Sequence, residues 1–173
     1  MPKPDLQKVP AFYHSYVTLV KQDNISKAFS KHSDAISFLK KIPKKKWDYR
    51  YAEGKWSIKQ LIQHVIDAER IFSYRALRIA RKDTTPLPAF DEEKFAAVSK
   101  ADKRTKKDLI RELETVQQSS RRLFESFDEE QLQAGGTVSN NSIDVNAIGF
   151  VIIGHTLHHL NILKERYLKK GRK

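Results

Sequence analysis

The stretch Gly154-His155-Thr156-Leu157-His158-His159-Leu160 carries the densest chemistry in this 173-residue chain. Residues four apart on a helix share a face, so His155 and His159 can present their imidazoles to one point, the spacing used in helical zinc sites. Ile152, Ile153, Leu157, Leu160, Ile162 and Leu163 surround them in sequence, and imidazoles buried in such company cost free energy unless they find partners. Two readings meet that demand: a pair of metal ligands, or histidines hydrogen-bonded to other core side chains. His158, three residues after His155, makes a His155/His158 clamp sterically feasible too, although the four-residue spacing is the better attested. Its other reading is a supporting or packing residue.

Two imidazoles seldom complete a site, and a catalytic zinc centre commonly takes three protein ligands. His64 is the natural third, because it lies in the largely apolar run Leu61-Ile62-Gln63-His64-Val65-Ile66. His14 and His32 sit among polar neighbours and are poorer choices. Asp67, Arg75 and Arg78 fall near the stripe of His64. Asp67 could orient a ligand histidine or take a proton during catalysis, and Arg75 and Arg78 could bind an anionic substrate group. Ion pairing at the helix surface accounts for the same three residues equally well. Glu69 and Arg70 are expected to face elsewhere.

These residues need helices to place them. Phe29, Ile36, Leu39 and Ile42 repeat with helical spacing in a first helix from about Phe12 to Ile42, broken near Asp23-Asn24. Ser57-Ile58-Lys59-Gln60 reads as a capping box that opens a second helix running to about Arg81. A third starts at Thr105 and continues to Phe127. The fourth starts at Asn141 or Ser142, with Asp144 favouring its N-terminus, and ends near Leu168. Its middle, from Ala147 to Leu163, is apolar on nearly every side and calls for protein all around it. The expected fold is all-α: a four-helix bundle in one domain over residues 1–173, with a long connection from Lys82 to Arg104 between helices two and three. Phe90 and Phe95 would anchor that connection, and Asp91-Glu92-Glu93 suggests a short helical turn within it.

Composition narrows the chemistry. Cysteine is absent, which excludes disulfides, thiolate nucleophiles and Cys-based metal sites; a metal must be held by His, Asp or Glu. No run approaches the ~18 apolar residues of a membrane span, and the N-terminus has no signal-peptide pattern, so a cytoplasmic protein without a membrane partner is expected. A net charge of +12 could mark a nucleic-acid partner. The cations are dispersed over 40–46, 100–107 and 164–173, however, which fits a solvated surface better. A basic, non-catalytic module binding nucleic acid or another acidic partner is therefore the alternative to an enzyme.

The motifs together resemble the DinB-like, or YfiT-like, family of candidate metalloenzymes. The resemblance is carried by Lys55-Trp56-Ser57-Ile58-Lys59-Gln60, His64-Val65-Ile66-Asp67-Ala68-Glu69-Arg70, Arg75-Ala76-Leu77-Arg78, Phe90-Asp91-Glu92, and Gly154 to Leu160 followed by Lys164-Glu165-Arg166-Tyr167-Leu168. It implies a four-helix bundle whose divalent metal, Zn or Ni, is held by three histidines that map onto His64, His155 and His159. Many relatives carry Glu where this chain has Thr156. The family includes metal-dependent hydrolases and transferases of low-molecular-weight thiols, so a small-molecule substrate is implied, a thiol among the options. A homodimer is also admitted.

Overall fold

A computed structural model describes residues 1–169; the last four residues of the basic C-terminal run noted above lie outside them. Helices α1 (His14–Leu19), α2 (Ile25–His32) and α3 (Asp34–Lys41) replace the first expected helix. The break at Asp23-Asn24 is present, with the Asn24 side chain accepting the Lys27 N–H, and a second break falls at Ser33. Helix α4 (Ile58–Ala80) opens with the Ser57/Gln60 capping box. Then come α5 (Glu92–Val98), α6 (Lys106–Glu125), capped by Thr105, and α7 (Glu129–Gln133). Helix α8 (Val145–Ile162) closes the bundle, and a wider π turn, Leu163–Tyr167, extends it.

A β-hairpin stands where the sequence pattern predicts the start of a helix. Residues expected to begin the last helix form β2 (Asn141–Asp144), antiparallel to β1 (Gly135–Val138). Ser139 and Asn140, with φ of 50° and 63°, make the two-residue turn that strand twist favours. Asp144 still caps α8, accepting the Ala147 N–H at 2.6 Å. Leu87 bonds both ways to the hairpin, through Thr137 O and Ser139 N, and ties the long connection to it.

The four bundle helices are α2 with α3, α4, α6 and α8. Contacts between α4 and α6 advance together along both helices, from Arg70 with Glu112 to Ser73 with Ser120, so the two run parallel. This explains the length of the 82–104 connection: the chain must return along α4 before α6 can begin. It ends beside the start of α4, where Asp102 accepts from Ser57 Oγ at 3.0 Å. Helix α8 runs the other way, with Tyr167 donating to Trp56 O and His155 opposite His64. No described helix is long and apolar enough to cross a membrane.

Two apolar clusters fill the bundle. One gathers α1, α2, the C-terminal half of α4 and the first half of α8. The other gathers α3, Trp47, the N-terminal half of α4, the first half of α6 and the end of α8. Buried polar side chains stand at their boundary on every bundle helix: His32, His64 and Glu69, Gln117, and His155, Thr156 and His159.

Candidate metal centre

His64 stands in α4 one turn before the apolar packing changes cluster, and His155 and His159 stand one turn apart in α8, which faces it. The result is three imidazoles with their Nε2 atoms turned toward one another. His155 Nε2 lies 3.0 Å from His64 Nε2 and 3.1 Å from His159 Nε2. One nitrogen from each ring lies within 4.8 Å of the other two. All three side chains are buried. Gly154 makes this registry possible: a Cβ there would collide with the Tyr16 carbonyl oxygen. Its absence lets α1 rest on α8 and brings the Tyr16 ring edge-on to His155 and His158, at 5.4 and 5.2 Å between centroids.

Burial decides the protonation of the triad. Desolvation lowers the His64 pKa to about 4, opposed by the charge of Glu92. It pushes His155 and His159 well below the ordinary value, helped by mutual repulsion within the cluster. At neutral pH the rings are uncharged, the state that offers a lone pair to a metal. Three neutral imidazoles whose nitrogens converge suit one cation, and with no carboxylate or thiolate in the group the donor set is three histidine nitrogens. His159 Nδ1 is buried without a partner, so no hydrogen bond on its far side sets the tautomer of that ring. His158 is partly exposed, packs against Tyr16 and His159, and is outside the triad.

The triad forms one wall of a cavity of about 400 Å³. Tyr13, Tyr16, Trp56, Phe72 and Phe90 supply aromatic walls, while Arg75, Glu92, Glu93 and Ser139 add polar groups. Glu93 accepts from Trp56 Nε1 at 3.1 Å. A larger cavity of about 490 Å³, between Lys40, Lys44, Lys106 and Arg111, lies against α3 and α6 and contains none of the histidines.

The structure divides the remaining sequence candidates. Arg75 reaches the cavity; Asp67 and Arg78 do not. Asp67 accepts from Gln63 Nε2 at 2.9 Å on the α6 side of α4, near the Arg70, Arg104 and Glu112 charges, so it neither orients a triad histidine nor faces the cavity. Arg78 pairs with Asp83 and Tyr74 at the surface, the ion-pair reading of that residue. Thr156 is buried, with no partner for its hydroxyl among the described residues. Glu92 and Glu93 were missed as site residues. The only sequence signal for them was the acidic turn after Phe90, since their approach to His64 depends on how the long connection lies across the bundle.

Known proteins resemble this chain in sequence and in fold. Residues 31–163 match the model of the DinB superfamily, a stretch that contains all three histidines. A protein of Oceanobacillus iheyensis designated a candidate metal-dependent hydrolase is 33% identical over 116 residues, covering 66% of this chain and 66%, just under two thirds, of that relative. In three dimensions the chain superposes on YfiT from Bacillus subtilis, described as a probable metal-dependent hydrolase with an unusual four-helix bundle topology. The TM-score is 0.69 at 14% identity, over 94% of this chain and 90% of that one, a likeness of fold.

Proposed function

The chain belongs to the DinB superfamily, and from that premise we propose that it is a metal-dependent hydrolase acting on a small molecule bound in the histidine cavity. The observation that carries the reading is the convergence of three buried, uncharged Nε2 atoms on the wall of a cavity large enough for a small substrate. His64, His155 and His159 would hold one divalent ion, Zn or Ni. A bound ion of this kind polarises a substrate carbonyl and makes water a nucleophile near neutral pH.

The chain's own residues would do the rest. Glu92 opens α5 at the cavity mouth, and its charge is felt at both His64 and Tyr16; among the described residues lining the cavity only it and Glu93 carry a carboxylate. Glu92 is the better proton carrier, because Glu93 is engaged by Trp56. Phe72, Phe90 and Tyr16 keep bulk water from the reacting group and so strengthen the electrostatics within.

Transfer of a low-molecular-weight thiol is the second reading. Metal coordination favours a thiolate as it favours hydroxide, and a chain without cysteine would take its thiol from a substrate. The test is a panel of esters and amides run beside thiol and electrophile pairs, on metal-loaded protein and on His159→Ala. Turnover of an ester or amide that needs both the metal and His159 supports hydrolysis. Turnover confined to the thiol pairs moves the assignment to transfer, and metal-independent turnover in His159→Ala sinks both.

A further inference from the structure

Arg75 is a buried cation without a counter-ion among the described residues. Its side chain stands on α4 three turns after His64, is 3% exposed and lines the same cavity as the triad. No carboxylate of the described residues lies within salt-bridge distance of it, although twelve other pairs do form. One Nη donates to Pro88 O at 2.6 Å, the Tyr13 hydroxyl is a second neighbour, and the rings of Phe72 and Phe90 flank the guanidinium at 5.7 and 5.8 Å. A guanidinium has five N–H donors in a planar fork. Pro88 and Tyr13 leave most of that fork free, and burying an unpaired charge is costly enough that the site calls for an anion.

Resting on the hydrolase reading, we propose that Arg75 binds a carboxylate of the substrate, which makes this a hydrolase of carboxylate-bearing esters or amides with an apolar body. Among the described residues Arg75 is the one Lys or Arg lining the cavity, and Glu92 and Glu93 share that lining. A single negative charge suits this balance better than a phosphate dianion. The fork matches a carboxylate with two parallel hydrogen bonds, and the aromatic walls accept a flat or apolar carbon skeleton. Arg75 is thus a specificity residue: it fixes one end of the substrate while the triad faces the bond to be cut.

Benzoate tests this, with benzamide as the neutral control, by calorimetric titration into metal-loaded protein, protein stripped with chelator, and Arg75→Gln. Benzoate is expected to bind the stripped protein, benzamide to bind much more weakly, and Arg75→Gln to lose roughly tenfold or more in benzoate affinity, as removal of charged hydrogen bonds does. Arg75→Lys, which keeps the charge and loses the fork, should fall between. Because the probe is read without metal, its outcome is separable from that of the hydrolase assay. Benzoate binding only when metal is present, or equally well to folded Arg75→Gln, would place the carboxylate on the histidines and overturn the proposal. So would the absence of binding to every form. If Arg75→Gln does not fold, the comparison of Arg75→Lys with wild type decides, and equal affinity overturns it.

Discussion

The boundary between the two apolar clusters holds histidine twice, under opposite conditions. On one side of α4, His32 from α2 meets Glu69 at 3.0 Å, with both side chains at most 3% exposed. On another side, His64 has the Trp56 ring beside it, meets the imidazoles of His155 and His159 rather than a carboxylate, and opens on a cavity. In the first case a carboxylate answers the imidazole from within the fold. In the second the imidazoles answer one another incompletely. A buried histidine is a structural part when the fold supplies its partner and a ligand site when it does not. The lesson is visible within one helix, since His64 and Glu69 are five residues apart.

Substitution should separate the two regions. The largest effect is expected at the triad: His155→Ala should weaken divalent metal binding by more than about 100-fold, a scale reached when mere supporting partners are lost, whereas His32→Ala should keep its metal. Metal analysis of the purified variants decides this, and equal retention by both would erase the distinction. Stability should respond in reverse. His32→Ala strands the Glu69 carboxylate in the core, at a cost of about 3–5 kcal/mol in denaturant unfolding, while metal-free His155→Ala should lose clearly less.

Acid sharpens the same contrast. His64 is held near pKa 4 by burial, so the unfolded chain takes up a proton between about pH 6.5 and 4 that the folded one refuses. Stability of the metal-stripped protein should therefore fall as the pH drops through that window, by about 3 kcal/mol on account of His64. His64→Asn should flatten the slope. A slope unchanged in that variant would show that the ring is not held neutral by its surroundings.

The smallest effect is expected at the support of the triad. Gly154→Ala brings a methyl group against the Tyr16 carbonyl, backbone that cannot turn aside as a side chain can, and should cost about 1–3 kcal/mol as overpacking does. Thermal unfolding beside a metal titration would read both consequences, a lower midpoint and weaker binding. Binding at full strength would mean that α1 has no part in holding His155 in place.

Much of this protein is local and could be read from the chain. The i, i+4 pair His155/His159, the Ser57 and Thr105 caps, and the apolar middle of α8 all depend on neighbours within one helical turn, so sequence alone pointed to the helices and to the face the imidazoles share. The hairpin was not legible, because Ser139-Asn140 is a weak turn signal and β1 and β2 are each only four residues long. The choice among Asp67, Arg75 and Arg78 was likewise closed to sequence: all three lie near one stripe of α4, and packing of α6 against Asp67, Asp83 against Arg78 and the Pro88 loop against Arg75 sets their roles. The approach of His64 to the α8 pair, the return of the 82–104 connection that brings Glu92 and Phe90 over the cavity, and the isolation of Arg75 from the carboxylates of the described residues are long-range facts. They were decided by tertiary structure because each depends on which distant helix or loop fills the space beside a side chain, and helical periodicity carries no information about that.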